Sequence, residues 1–164
     1  MLTVAALALP GAAARAATPC PAAPAEPALA CLVDAERAAR DLPPLRHNAA
    51  LARAADAHAA AMVARRFFSH VSPGGALLVD RVRHAGYLNR AREWWIGECL
   101  AWGQGPLADP VAIVQAWMHS AGHRRLLLAR HAREVGIGVA RGVPRPGDWP
   151  DPALTVTLDL GRRR

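Results

Sequence analysis

The chain has 164 residues, of which 52% are hydrophobic, so it can bury one core of ordinary size and fold as a single domain. Its formal net charge is +7, and all 20 basic residues are Arg. These arginines are scattered along the sequence without a basic helix face or an aromatic stacking platform, which argues against binding to nucleic acid.

The N-terminal stretch predicts an exported chain. Residues 1–17 are typical of a secretory signal peptide: the apolar run at 2–10 is too short to span a membrane, and Ala14-Arg15-Ala16 has the small-residue pattern of a cleavage site. Residues 18–27 contain four Pro and predict a Pro/Ala linker before one domain at 28–161. We therefore expect a secreted or periplasmic protein that is a monomer and not an integral membrane protein.

Three cysteines, Cys20, Cys31 and Cys99, leave at least one thiol without a partner in the chain. An exported chain meets oxidising conditions, where a bridge between Cys20 and Cys31 would tie the linker to the first helix. A bridge between Cys31 and Cys99 is the competing pairing. No C-x-x-C motif occurs, so the sequence argues against a cysteine-based zinc or redox site.

Five helices are predicted, at 28–40, 49–66, 76–84, 110–119 and 122–131. The second is the clearest, because an apolar stripe from Leu51 to Met62 recurs at helical spacing and Asn48 before it suits an N-cap. In the first helix, the same periodicity assigns Arg37 to the polar side.

Two strands are predicted late in the chain, at 135–140 and 154–160, joined through a loop at 144–152 as a hairpin. The earlier segment 96–102 could form a further short strand. Several helices together with a small, mostly antiparallel sheet predict an α+β domain with helices on both faces of the sheet.

Three residues stand out as candidates for a cleft. His70 follows a predicted helix and precedes a turn rich in Pro and Gly. Glu98 lies in an apolar run, so if that run is buried the carboxylate needs a cation, a metal or hydrogen bonds. His123 begins a helix after Gly122. Two His and one carboxylate form a workable set of ligands for a divalent metal, with an open position for water.

Other polar residues are weaker candidates. His119 and His123 are four residues apart, but Ser120 occupies the position where a metalloprotease helix carries its Glu. Glu134 precedes the glycine-containing strand and could either point into the same cleft or only cap the beginning of that strand. His58 lies on the apolar stripe of the second helix and is expected to be a core residue.

Short motifs recur in a specific order between residues 32 and 161. They include Ala35-Glu36-Arg37, Phe68-Ser69-His70, Ala85-Gly86-Tyr87, Gly97-Glu98, Ala116-Trp117-Met118, Gly122-His123-Arg124 and Glu134-Val135-Gly136-Ile137-Gly138-Val139-Ala140. In these motifs the chain resembles the CAP superfamily of cysteine-rich secretory, antigen 5 and pathogenesis-related 1 proteins, and in particular its shorter bacterial SCP-like extracellular branch.

The resemblance implies an α-β-α sandwich and a cleft with two His and two Glu that can take zinc or another divalent metal. His70, Glu98 and His123 match three of the four positions, and Ser120 replaces the second Glu. Glu134 is a candidate substitute for that carboxylate. Cys99 replaces an Asn that is usual after the cleft Glu, and a free thiol there would be an additional cleft candidate.

The resemblance also implies an extracellular binding module rather than an enzyme, with an unknown ligand such as a lipid, a polysaccharide or a protein of the cell envelope. A metal-assisted hydrolase is the first alternative, in which zinc held by His70 and His123 activates water and Glu98 or Glu134 serves as the base. A lipid- or sterol-binding protein is the second alternative.

Overall fold

The structure is a computed structural model that describes residues 20–147 and 151–164. The predicted signal peptide, the first two residues of the predicted linker and Trp149 lie outside the described residues. None of the helices within the described ranges combines the length and the apolar character needed to cross a bilayer.

Within the described ranges the chain forms five α-helices and four strands. The helices are α1 (Ala25–Ala38), α2 (Ala49–Arg65), α3 (Leu78–His84), α4 (Pro110–His119) and α5 (Ala121–Leu127). The strands are β1 (Arg46–His47), β2 (Trp94–Gln104), β3 (Glu134–Arg141) and β4 (Ala153–Arg163). A single turn of 3₁₀-helix at Gly105–Ala108 connects β2 to α4.

The strands form one sheet in the order β1-β3-β4-β2. The pairs β3/β4 and β4/β2 are antiparallel, which confirms the late hairpin, and the short β1 pairs with β3 in parallel. The strand β2, predicted only as a possible short strand, is 11 residues long and lies at one edge of the sheet.

Helices cover both faces of the sheet, so the α+β class and the α-β-α layering are confirmed. On one face, Val156 and Leu158 of β4 pack with Leu29 of α1 and Trp117 of α4 in the larger apolar cluster. The opposite face carries α2 and α3. Its smaller apolar cluster is formed by Leu51, Ala54, Val82, Tyr87 and Leu88.

The glycines of β3 explain how closely α2 approaches the sheet. A Cβ atom on Gly138 would overlap the backbone of Ala55 and Asp56, and one on Gly136 would overlap that of Leu51 and Ala52. Only a residue without a side chain permits this contact, as expected for Gly within a strand.

Three local features differ from the sequence expectation. The helix α1 begins three residues early at Ala25, because Pro is tolerated in a first turn, where the missing N–H would have no partner. The helix α5 ends at Leu127, four residues before the predicted end. Arg37, predicted on the polar side of the first helix, is fully buried, and its guanidinium donates to the carbonyls of Pro43, Leu127 and Ala129.

The disulfide joins Cys20 to Cys31, the first of the two pairings left open by the sequence. It ties the segment before α1 to the middle of that helix.

Candidate functional site

The centre of the candidate site is Glu98, in the middle of the edge strand β2. The residue is 5% exposed and faces the layer of α2 and α3. Arg81 of α3 donates from Nη2 to its Oε2 at 2.5 Å, and His70 Nδ1 lies 2.6 Å from its Oε1. Both carboxylate oxygens are thus engaged, which meets the requirement for a buried charge inferred from the sequence.

Arg81 also fixes the segment that carries His70. Its Nη1 donates to the backbone carbonyl of His70 at 2.9 Å and to that of Ala76 at 3.2 Å. The guanidinium of Arg81 therefore binds both the Glu98 carboxylate and the turn that contains His70, because its planar group has several N–H donors. Residue spacing does not identify Arg81 as the partner of Glu98, because the residues it contacts come from other segments of the chain.

The imidazole of His70 is the exposed part of this arrangement. Its side chain is 59% exposed, and because Nδ1 faces Glu98, Nε2 remains available to solvent or a ligand. His123, in the first turn of α5, is partly buried. Burial and, second, the charge of nearby His70 lower the pKa of His123. Within the described residues, His123 has no hydrogen bond to His70 or Glu98.

Two buried residues behind Glu98 complete the cluster. His58 of α2 is fully buried, with Nε2 3.0 Å from the carbonyl of Ser69 and 4.0 Å from Glu98 Oε2. Burial and, second, the nearby Arg81 lower the pKa of His58, which favours its neutral form. The expectation of a core His was therefore correct, but this residue also touches the site.

Asp159 of β4 is the direct cross-strand partner of Glu98 and is completely buried. Neither of its oxygens has a hydrogen bond of good geometry among the described residues, although its carboxyl lies against Glu98. Burial and, second, the Glu98 charge raise the pKa of Asp159 well above its ordinary 3.8, so that its protonated form is favoured. Sequence reasoning missed this residue because it looked like one more polar position in an alternating strand.

A cavity of about 500 Å³ lies beside the cluster, between α2 and α3. His58 and Arg81 contribute to its wall, together with Arg53, Ser72 and His84. Small residues, among them Ala57 and Ala61, leave the space open.

The remaining candidates from the sequence lie elsewhere. Cys99 is fully buried in the larger apolar cluster, on the face of β2 opposite to Glu98, and burial raises its pKa to about 12. Glu134 accepts hydrogen bonds from Tyr87 at 2.7 Å and from Asn48 at 3.0 Å, at the start of β3. Ser120 joins α4 to α5 and forms no side-chain hydrogen bond to the cluster within the described residues.

The potential metal ligands near Glu98 can be compared with what a divalent metal requires. Across residues 20–147 and 151–164, no group of three His, Cys, Asp or Glu side chains is arranged to hold a metal ion. Because both oxygens of Glu98 are engaged, this residue fits the carboxylate that orients a metal-binding His better than it fits a direct ligand. The zinc expected from the resemblance stays a prediction, with His70 Nε2 and His123 as the side chains that could contact it.

Comparison with known proteins places the chain in a family. The pattern of the CAP, or cysteine-rich secretory protein, family matches residues 32–147. The uncharacterized protein YkwD of Bacillus subtilis (strain 168) is 32% identical over 107 residues, which cover 65% of this chain and 39% of that protein.

Two solved structures share the fold. An extracellular protein of Bacillus anthracis that contains an SCP domain matches with a TM-score of 0.67 and 26% identity, over 84% of this chain and 40% of its own. An outer surface protein of Borrelia burgdorferi matches with a TM-score of 0.67 over 83% of this chain and 90% of its own, but its 18% identity speaks for the fold alone.

The chain spans about two fifths of the length of the two Bacillus relatives, so it corresponds to one portion of each. The family pattern covers most of the described chain, and the observed layering agrees with the solved relatives. The chain therefore belongs to the CAP, or cysteine-rich secretory protein, family.

Proposed function

We propose that the chain is an extracellular CAP-domain binding module whose ligand contacts the imidazoles of His70 and His123. The disulfide between Cys20 and Cys31 supports an oxidising compartment. The related Bacillus anthracis protein is described as extracellular, which supports the same location.

The observation that carries this proposal is the Arg81–Glu98–His70 chain of contacts. An exposed imidazole normally samples several rotamers, whereas here Nδ1 is held 2.6 Å from a buried carboxylate that is itself held by Arg81. A side chain fixed in this way loses little conformational entropy when a ligand contacts it, which is the advantage of a preorganised site.

A divalent metal is one ligand that these imidazoles could bind. Bound zinc would supply Lewis-acid chemistry at the cleft. Glu98 would then orient His70 and increase the basicity of Nε2 through the hydrogen bond at Nδ1. With two protein ligands instead of the three or four of established zinc sites, binding is expected to be weaker than at a structural zinc site.

Calorimetric titration of the metal-free chain with Zn²⁺ tests this assignment. We expect the His70→Ala/His123→Ala variant to bind Zn²⁺ at least about tenfold more weakly than the unmodified chain, and Glu98→Gln to weaken binding by about tenfold. The variant His47→Ala/His131→Ala, which removes two exposed His that line neither the cleft nor the cavity beside it, should bind like the unmodified chain. Equal zinc affinity in both double variants would exclude His70 and His123 as metal ligands.

The pair of His70 and Glu98 also favours general acid–base catalysis as a second candidate function. A carboxylate hydrogen-bonded to Nδ1 fixes the tautomer in which Nε2 can accept a proton, as in hydrolases that use a His base. Hydrolysis of a pool of peptide and ester substrates, measured for the unmodified chain and for His70→Gln, tests it. Activity that is equal in both, or absent from both, would rule out this candidate.

A further inference from the structure

The fold gathers arginines that are scattered in the sequence. Strands β1, β2 and β3 begin, and β4 ends, at the same end of the sheet. Six arginines lie there, and we call this surface the basic end: Arg46, Arg92, Arg133, Arg162, Arg163 and Arg164.

Backbone contacts hold these arginines in one continuous strip. The amide of Arg46 donates to the carbonyl of Arg133 at 2.9 Å, and that of Arg92 donates to the carbonyl of Arg164 at 2.7 Å. The amide of Arg133 donates to the carbonyl of Gly161 at 3.0 Å, next to Arg162. Every strand thus contributes to a strip that is about 15 Å wide, the width of four strands.

The basic end carries most of the net charge of the chain. Its six arginines are opposed by Glu93, 3.9 Å from Arg162, and by Glu134, which is nearly buried and lies 3.6 Å from Arg46. Six positive and two negative groups leave four positive charges there, more than half of the +7 of the whole sequence. The side chain of Arg46 is 77% exposed, and Arg92, Arg133 and Arg164 are exposed as well.

An exposed aromatic residue lies at the same place. Trp94 begins β2, is 47% exposed and is the direct cross-strand partner of Arg163. The guanidinium of Arg163 is held over the ring of Tyr87 and donates to the carbonyl of the same residue. A partly exposed Trp beside several arginines is typical of surfaces that sit at the interface between a membrane and water.

We propose that the basic end docks on the anionic headgroup surface of a phospholipid bilayer, with the ring of Trp94 at the level of the headgroups. This proposal is independent of the cleft around His70. The disulfide favours a compartment in which a lipid surface is a more available polyanion than nucleic acid. One exposed Trp suits an interface, whereas a stacking surface for several bases would need more aromatic residues.

Co-sedimentation of the disulfide-bonded chain with vesicles tests the proposal. We expect binding to vesicles of phosphatidylcholine mixed with phosphatidylglycerol, no binding to vesicles of phosphatidylcholine alone, and release when the salt concentration is raised from about 0.1 M to about 1 M. The Arg92→Gln/Arg133→Gln/Arg164→Gln variant should lose about a hundredfold in affinity. Trp94→Ala should weaken binding further when combined with it.

The matched control is Arg65→Gln/Arg66→Gln/Arg141→Gln, which removes three exposed charges at the opposite end of the sheet, where β3 ends. We expect it to change the affinity by less than about threefold, because charges more than a Debye length from the lipid surface are screened. Equal losses in the two triple variants would overturn the proposal, since binding would then follow net charge alone. Failure to bind the anionic vesicles, or binding to duplex DNA but not to the vesicles, would also overturn it.

Discussion

At the scale of single residues, the stability of the site depends on the balance of charge around Glu98. The sequence indicated that a carboxylate in an apolar run needs a partner, and in the structure the side chain of His70 contacts Glu98. The sequence could not show that the cation is Arg81 or that a second carboxyl, Asp159, lies beside it, because these residues come from distant segments that meet only when α3 and β4 pack against β2.

Replacing Arg81 by Met should leave the buried Glu98 carboxylate without its cation. We expect a loss of about 3–5 kcal/mol in the free energy of unfolding, the usual cost of removing one partner of a buried ion pair. Denaturation in guanidinium chloride measures it. Arg83→Met is the control, because its partner Asp80 is half exposed and the pair should contribute less than about 1 kcal/mol.

Adding Glu98→Gln to Arg81→Met should recover part of the lost stability, since the unpaired buried charge is then removed. If Arg81→Met and Arg83→Met lowered the free energy of unfolding equally, the buried pair of Arg81 and Glu98 would contribute no more to stability than an exposed pair.

The raised pKa of Asp159 leads to a prediction about how stability depends on pH. Its folded-state pKa is raised, so between pH 3.8 and that raised value the folded chain binds more protons than the unfolded chain. The contribution of Asp159 to the free energy of unfolding therefore falls as the pH rises through this window, by about 1.4 kcal/mol for each pH unit that the window spans.

Asp159→Asn keeps a hydrogen-bond donor but cannot ionise. Relative to the unmodified chain, this variant should therefore gain stability between pH 4 and pH 8, which denaturation curves at both values would measure. The exposed Asp56→Asn controls for the loss of a formal charge. Parallel stability profiles for the unmodified chain and Asp159→Asn would contradict the assignment of a protonated Asp159.

At the scale of elements, hydrophobic periodicity predicted most of the helices and both late strands, because each signal is local to the segment concerned. The helix α2 followed its apolar stripe and its Asn48 cap. Weaker local signals did not predict the extent of an element where tertiary contacts determine it. The strand β2 extends over 11 residues because β4 pairs along its whole length, and this cannot be read from the apolar run alone.

The contact between β3 and α2 yields a prediction at this scale. Gly138→Ala would place a methyl group within the backbone of Ala55 and Asp56, so α2 must move away from the sheet. We expect a loss of about 1–3 kcal/mol or more in the free energy of unfolding, as for other overpacked cores. Gly74→Ala is the control, because no atom lies near its Cβ position. A thermal melt in which both variants behave alike would show that α2 does not approach the sheet so closely.

At the scale of the whole molecule, the family and the layered fold could be anticipated from motif order, but the distribution of charge could not. The arginines of the basic end are spread between positions 46 and 164, and their proximity depends on the strand order β1-β3-β4-β2. The clustering of positive charge thus depends on the folded sheet. In the sequence the same arginines are scattered, and they gave no indication of a basic surface.

The disulfide gives the last prediction. The bridge between Cys20 and Cys31 closes a short loop over the first half of α1, whose Leu29 and Val33 are buried against the sheet. Closing such a loop limits the conformations of the unfolded chain, so Cys20→Ser should lose about 3 kcal/mol in the free energy of unfolding. A reductant should lower the stability of the unmodified chain to the level of this variant. The same reductant should leave Cys20→Ser unchanged, because Cys99 is buried and has no partner within the described residues. A further loss in the variant would mean that another bridge forms in solution.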